Sequence, residues 1–224
     1  MSAASPRVLR EWRNRVVAEY RSAARTAALL HRMVLAGFPR DVLATAGRIV
    51  QDELDHADLC HVVVENLGGG DEPAVLDVGA LMSPSEGDGL LAAVVDTVVR
   101  DFCLGETLAV PLFRAMWEGA TVPVVREALT RILRDEAVHR AFGWRALDVL
   151  LELDAEGTRA RAEALLPKWI EQYRGAYADR RDAPLLQAEE RSAGLIDLHE
   201  YADLFETALE EDIRRRLRSR GIAA

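Results

Sequence analysis

Cysteine, lysine and aromatic side chains are scarce in this sequence. Its two cysteines, Cys60 and Cys103, form no CxxC pair, which excludes a disulfide scaffold and fits a reducing, cytoplasmic setting. No run of about 18 apolar residues occurs, so no membrane span is expected. The opening stretch MSAASPRVLREWRNR has no apolar core of a secretory signal. Lys168 is the only lysine, and arginine carries the remaining basic charge. The net charge of -9 argues against a partner held by phosphate contacts, so no nucleic acid is expected. Aromatics make up 6% of the chain, yet half of it is hydrophobic, which excludes a disordered chain. With 224 residues, the chain is long enough for one domain with a full core.

Glycine and proline punctuate long helical patterns. The first helix is predicted from about Arg7 to Ala36 and stops at Gly37-Phe38-Pro39. The second runs from about Asp41, an N-cap or first-turn acid, to Leu67, before Gly68-Gly69-Gly70. A Gly-, Pro- and Asp-rich loop of about twenty residues follows, long for a compact domain. The third helix spans about Leu90 to Gly119, and the fourth starts after Thr121, with Pro123 in its first turn, and continues to about Leu153. Residues 155–180 are helical by pattern but interrupted by Pro167, and a last helix covers about Leu198 to Arg220. No stretch alternates like a strand, so the fold class is all-α. A four-helix bundle over 1–153 is expected, with additional C-terminal helices over 154–224 in the same domain.

Buried positions on a bundle helix recur at steps of four and three. The row on the first helix is Trp12, Val16, Glu19, Ala23, Thr26, Leu30, Met33. The second row is Val42, Ala46, Ile49, Glu53, His56, Cys60, Val63, Leu67. The third is Val95, Val99, Phe102, Glu106, Ala109, Phe113, Met116. The fourth is Val125, Leu129, Ile132, Glu136, His139, Gly143, Ala146, Leu150. Each row is apolar or small except near its middle, where it carries one glutamate. Two rows add a histidine three residues later.

One buried carboxylate without a partner costs several kcal/mol, and four together repel each other. The alternative, acids satisfied by arginines, leaves the coincidence of four mid-row positions unexplained. Two divalent cations neutralise four carboxylates. The Glu-x-x-His spacing places both side chains on one face of a helix, one turn apart, within reach of a shared metal. It occurs at Glu53–His56 and at Glu136–His139. Antiparallel pairing of neighbouring helices brings the four levels within about a turn. The second and third helices then run parallel, and about twenty extended residues can cross a helix length of about 40 Å.

These residues resemble the ferritin-like di-iron carboxylate superfamily over about residues 7–153. The phrases Asp52-Glu53-Leu54-Asp55-His56-Ala57 and Cys103-Leu104-Gly105-Glu106-Thr107-Leu108-Ala109 are also similar to bacterial ferritin-like proteins of uncertain function. The resemblance implies a ferritin-like bundle with a long crossover between helices two and three. Its metal ligands would be Glu19, Glu53, His56, Glu106, Glu136 and His139. Glu53 and Glu136 would bridge, and Glu19 and Glu106 would be terminal. Asp52 and Asp135 would hold the ligand histidines through Nδ1–H, with a solvated charge as the equal alternative. The cofactor would be two Fe ions, with Mn as an alternative, and O2 would be the co-substrate.

Phe102, Phe113 and Phe142 are candidates to line a substrate pocket, against plain core filling. Pro111, five residues after Glu106, should kink or bulge the third helix beside the site. Tyr20 adjoins Glu19 but points about 100° away, against a radical role. His31, His61 and His199 lie off the rows. The function expected is that of a non-heme di-iron oxidase or oxygenase acting on a small organic substrate, by hydroxylation, desaturation, N-oxygenation or C–C cleavage. The alternatives are a ferroxidase or iron-handling protein and a peroxide-detoxifying one. The residues after Leu153, with Trp169, Tyr173, Tyr177, Tyr201 and Phe205, would shape a substrate cavity or mediate a homodimer. An external electron donor is a further expected partner.

Overall fold

The computed structural model describes residues 4–70, 89–177 and 185–224, all helix and connecting turns, with no strand among them. Helix α1 spans Pro6–Leu35, α2 Arg40–Asn66 and α4 Pro123–Leu153. Between them α3 is one continuous rod made of Leu90–Thr97, a π-helical stretch Val98–Glu106, and Thr107–Gly119. Helix α5 spans Ala155–Tyr177, and α6 is the short turn Ala188–Ser192. Helix α7 comprises Leu198–Ala208, a π-helical stretch Leu209–Ile213 and Arg214–Arg218. None of these helices is long and apolar enough to cross a membrane.

The helix ends follow local chemistry. Ser5 caps α1 by accepting from the Val8 amide, and Pro6 occupies the first turn, where its missing N–H costs nothing. Gly37, at φ 76°, adopts the left-handed conformation that ends α1. Asp41 lies in the first turn of α2 rather than capping it, since Pro39 holds the cap position. Pro167 sits inside α5, which continues through it.

The apolar interior separates into two clusters. One gathers Leu29 and Met33 of α1, Val42 and Ile49 of α2, Val95 and Phe102 of α3, and Leu147 and Leu150 of α4. The other gathers Trp12 and Val16 of α1, Cys60 and Val63 of α2, Phe113 and Met116 of α3, and Val125 and Ile132 of α4. Each cluster therefore takes opposite halves of α1 and α2, and opposite halves of α3 and α4, so both pairs are antiparallel. It takes the same half of α2 and α3, so those two run parallel. Gly70 and Gly89 thus lie at opposite ends, although the expected crossover between them falls outside the described residues.

Burying each large aliphatic side chain in these clusters stabilises by about 1.5–3 kcal/mol. Helix α5 adds Leu166, Trp169 and Ile170 to the first cluster, and α7 adds Phe205, Ile213 and Leu217. The turn after α6 adds Ala193, Leu195 and Ile196 to the second, where Trp12 Nε1 donates to the Ala193 carbonyl at 2.9 Å. The C-terminal helices are thus part of the same interior. Between the two clusters lies a polar layer, and it holds the mid-row acids.

Candidate metal centre

The layer is supplied by all four long helices. Glu19, Glu53, His56, Glu136 and His139 are buried, His56 and His139 completely. Each Glu-x-x-His pair projects from one face of its helix, as the spacing requires. Helix α3 delivers Glu106 from the last residue of its π-helical stretch. Such a stretch inserts an extra residue into the turn and re-aims the side chains beyond it. It is wedged against α4 at Gly143, where a Cβ would come within 2.6 Å of Phe102 Cβ and 3.0 Å of the Phe102 backbone.

Two groups of donor atoms converge. Glu19, Glu53 and His56 offer atoms within 4.8 Å of one another, and so do Glu53, Glu106 and His139. His56 Nδ1 lies 3.4 Å from Glu53 Oε2 and 4.0 Å from Glu136 Oε1. His139 Nδ1 lies 3.6 Å from Glu53 Oε1 and 3.5 Å from Glu136 Oε2. Glu53 and Glu136 therefore each face both histidines, whose ring centres are 5.7 Å apart.

The opposite ring edges are held in a crossed arrangement. His56 of α2 meets Asp135 of α4 through Nε2 at 3.3 Å, and His139 of α4 meets Asp52 of α2 through Nε2 at 3.4 Å. The sequence reading expected Nδ1; the difference arises because Nδ1 of each ring is turned inward toward the glutamates. A carboxylate only accepts, so each Nε2 carries a proton, which leaves Nδ1, turned toward the glutamates, as the ring atom that would ligate a cation. Arg131 ties the two aspartates together, donating to Asp135 through Nε and reaching Asp52 Oδ1 through Nη2 at 3.4 Å. Burial raises the Asp135 pKa, but hydrogen bonds from Arg134, Arg131 and His56 outweigh it and hold the carboxyl below its usual range.

Inside the layer the acids divide. Burial pushes Glu19, Glu106 and Glu136 well above the ordinary carboxylate range. Glu53 adds to the shift of Glu19 by charge and hydrogen bond, and Glu136 does the same for Glu106. Glu53 is also penalised by burial, yet His56, His139 and Ser22 together hold it below that range. The Ser22 hydroxyl donates to Glu53 Oε1 at 2.6 Å.

Four buried atoms in this layer have no hydrogen-bond partner: Glu53 Oε2, His56 Nδ1, Glu136 Oε2 and His139 Nδ1. Each such orphan costs about 1–3 kcal/mol. A metal cation held between the four helices would satisfy all four at once. Oxygen-rich sites with two imidazoles suit Fe or Mn. The donor set thus fits a pair of such ions.

The three phenylalanines do not share one place. Phe102 and Phe142 pack edge to face at 4.9 Å in the first cluster, while Phe113 belongs to the second. Phe142 also lines a surface groove of about 440 Å³ with Val42, Arg48, Val138 and Arg145. Tyr20 packs beside the second cluster. His31 and His199 are exposed, and His61 lies 3.5 Å from Glu65 one turn on. Ser22 and Arg131 were not singled out from sequence. Their signals are weak, a hydroxyl three residues after Glu19 and an arginine four residues before Asp135.

A search of known proteins finds no matching family model, no matching curated protein and no matching solved structure.

Proposed function

We propose that the chain is a ferritin-like, O2-dependent oxidase or oxygenase with two iron ions, acting on a small organic substrate. The observation that carries this reading is the set of four orphaned atoms converging from Glu53, His56, Glu136 and His139. Glu19, Glu53 and His56 would hold one ion, and Glu106, Glu136 and His139 the other. Glu53 and Glu136, each facing both histidines, would be shared. Bound iron would supply the electrons and the site for O2 reduction. The chain's own residues do the rest. Asp135 and Asp52 fix the histidine tautomers, Ser22 orients Glu53, and the apolar clusters above and below exclude water from the layer.

The parallel α2 and α3, with one acid at mid-length on each of the four helices, support the ferritin-like reading of the bundle. The C-terminal helices favour an oxygenase over iron storage, because α5 and α7 pack onto the bundle as further walls rather than leaving four bare helices. The test is anaerobic Fe(II) titration followed by O2. Two irons per chain, then O2 uptake that is limited to the bound pair and accelerated by an organic substrate, are expected. Continued oxidation of excess Fe(II) into mineral would move the assignment to iron storage. Binding of fewer than two ions per chain would overturn the site.

A further inference from the structure

One half-buried arginine stands beside the layer. Arg15 lies one helical turn before Glu19, on the same face of α1. Its guanidinium carbon sits 5.3 Å from the Trp12 ring centre and 5.4 Å from that of Phe113 on α3. Its Nε is buried and has no hydrogen-bond partner, and no ion pair engages the guanidinium among the described residues. Glu19 and the Cys60 thiol are near enough to feel its charge. Arg15 thus places a positive charge one turn from Glu19 at the edge of the layer.

The surroundings say from which side a ligand would come. On the α2/α4 side, Asp52, Asp135 and Arg131 stand directly behind the histidines. On the α1/α3 side, close backbone packing is concentrated at Leu90–Thr97, away from Arg15 and Phe113. Arg15 itself is only partly covered, so it stands between solvent and Glu19.

Resting on the di-iron reading above, we propose that Arg15 is a substrate-binding residue. It would take the carboxylate of a small organic acid whose apolar body enters between α1 and α3 toward Glu19 and Glu106. A guanidinium flanked by two aromatic faces is held in place and poorly hydrated, which suits it to a planar carboxylate.

Calorimetric titration of the two-iron protein with benzoate, benzenesulfonate and benzamide tests this, with the iron count measured on the same samples. Benzoate and benzenesulfonate should each bind at least about tenfold more tightly than benzamide. Arg15→Gln should erase that preference while retaining two irons, and Arg15→Lys should keep part of it. Equal binding of the three probes, or a preference that survives Arg15→Gln, would overturn the proposal, the latter because the anion then sits on the metal. Should Arg15→Gln fail to fold, the comparison of sulfonate with amide in the wild-type protein and Arg15→Lys decides, sulfonate being a poor ligand for iron. An iron count below two per chain points instead to failure of the metal site, so the two failures remain distinct.

Discussion

At the residue scale, the chemistry of the layer is a matter of who holds the protons. Glu19, Glu106 and Glu136 have pKa values raised by burial, from an ordinary value of 4.5. The metal-free folded chain therefore keeps protons that the unfolded chain releases, and its stability falls as pH rises from about 4.5 toward the raised values. Glu53 and Asp135 have the opposite sign. Their stabilisation is present above the unfolded values and is lost as pH falls through the lowered ones. On the di-iron reading, metal would displace these protons and so bind more tightly as pH rises. Urea denaturation at pH 5 and pH 8 should show the metal-free midpoint falling and the metal-loaded midpoint rising; parallel trends would contradict the proton assignment. The crossed aspartates give a second expectation. Asp52→Asn or Asp135→Asn replaces an acceptor that fixes a histidine tautomer, and should weaken metal affinity about 10–100-fold without abolishing binding. Competition with a fluorescent chelator measures this, and unchanged affinity in both variants would mean the aspartates are merely solvated charges. The convergence of the six candidate residues on one layer was legible because a polar residue in an apolar row has few physical explanations. The aspartate contacts were only half legible: spacing brings an aspartate near a histidine, but whether Nδ1 or Nε2 faces it depends on ring rotation. That rotation is decided by glutamates on other helices.

At the element scale, long helices with glycine and proline ends were readable almost to the residue, since their stop signals are local. The π-helical stretch Val98–Glu106 was not, because an i→i−5 register has no residue signature of its own. Pro111, just beyond it, foretold a disturbance but not its form or place. The short turn Ala188–Ser192 was equally silent. It exists because Glu190 reaches back to the Gln187 amide and accepts from the Ser5 hydroxyl, the latter contact 185 residues apart in sequence. The π stretch carries the most specific structural expectation. Its Phe102 backbone presses on Gly143, and no methyl group fits there without a shift of α3 or α4. Gly143→Ala should cost about 1–3 kcal/mol of overpacking, lowering the melting temperature of a chain of this size by about 2–12 °C. Because Glu106 ends the stretch, the same variant should bind one of the two metals more weakly than the other. Differential scanning calorimetry and stepwise metal titration check both parts. A stability loss with two equal, unchanged metal affinities would separate the bulge from the site.

At the scale of the whole molecule, the division of the apolar core into two clusters has a mechanical consequence. The four long helices are glued by hydrophobic packing above and below, while the layer between contributes unsatisfied polar atoms and trapped protons. On the di-iron reading, metal would turn this layer into a clasp joining four helices. Ligand present at a thousandfold excess over its dissociation constant stabilises by about 4 kcal/mol, which for a chain of this length is a rise of about 8–16 °C in melting temperature. The distribution of that gain is more telling than its size. Helix α5 meets the bundle through the first cluster and α7 through both, and neither carries a candidate ligand, so metal should change their local opening little. Amide exchange under native conditions should therefore slow most at residues flanking Glu19, Glu53, Glu106 and Glu136, and least along Ala155–Tyr177 and Leu198–Ala208. Uniform slowing along the chain would mean that metal stabilises only the global fold. Slowing confined to α2 and α4, the two helices with histidines, would mean that Glu19 and Glu106 do not share the load.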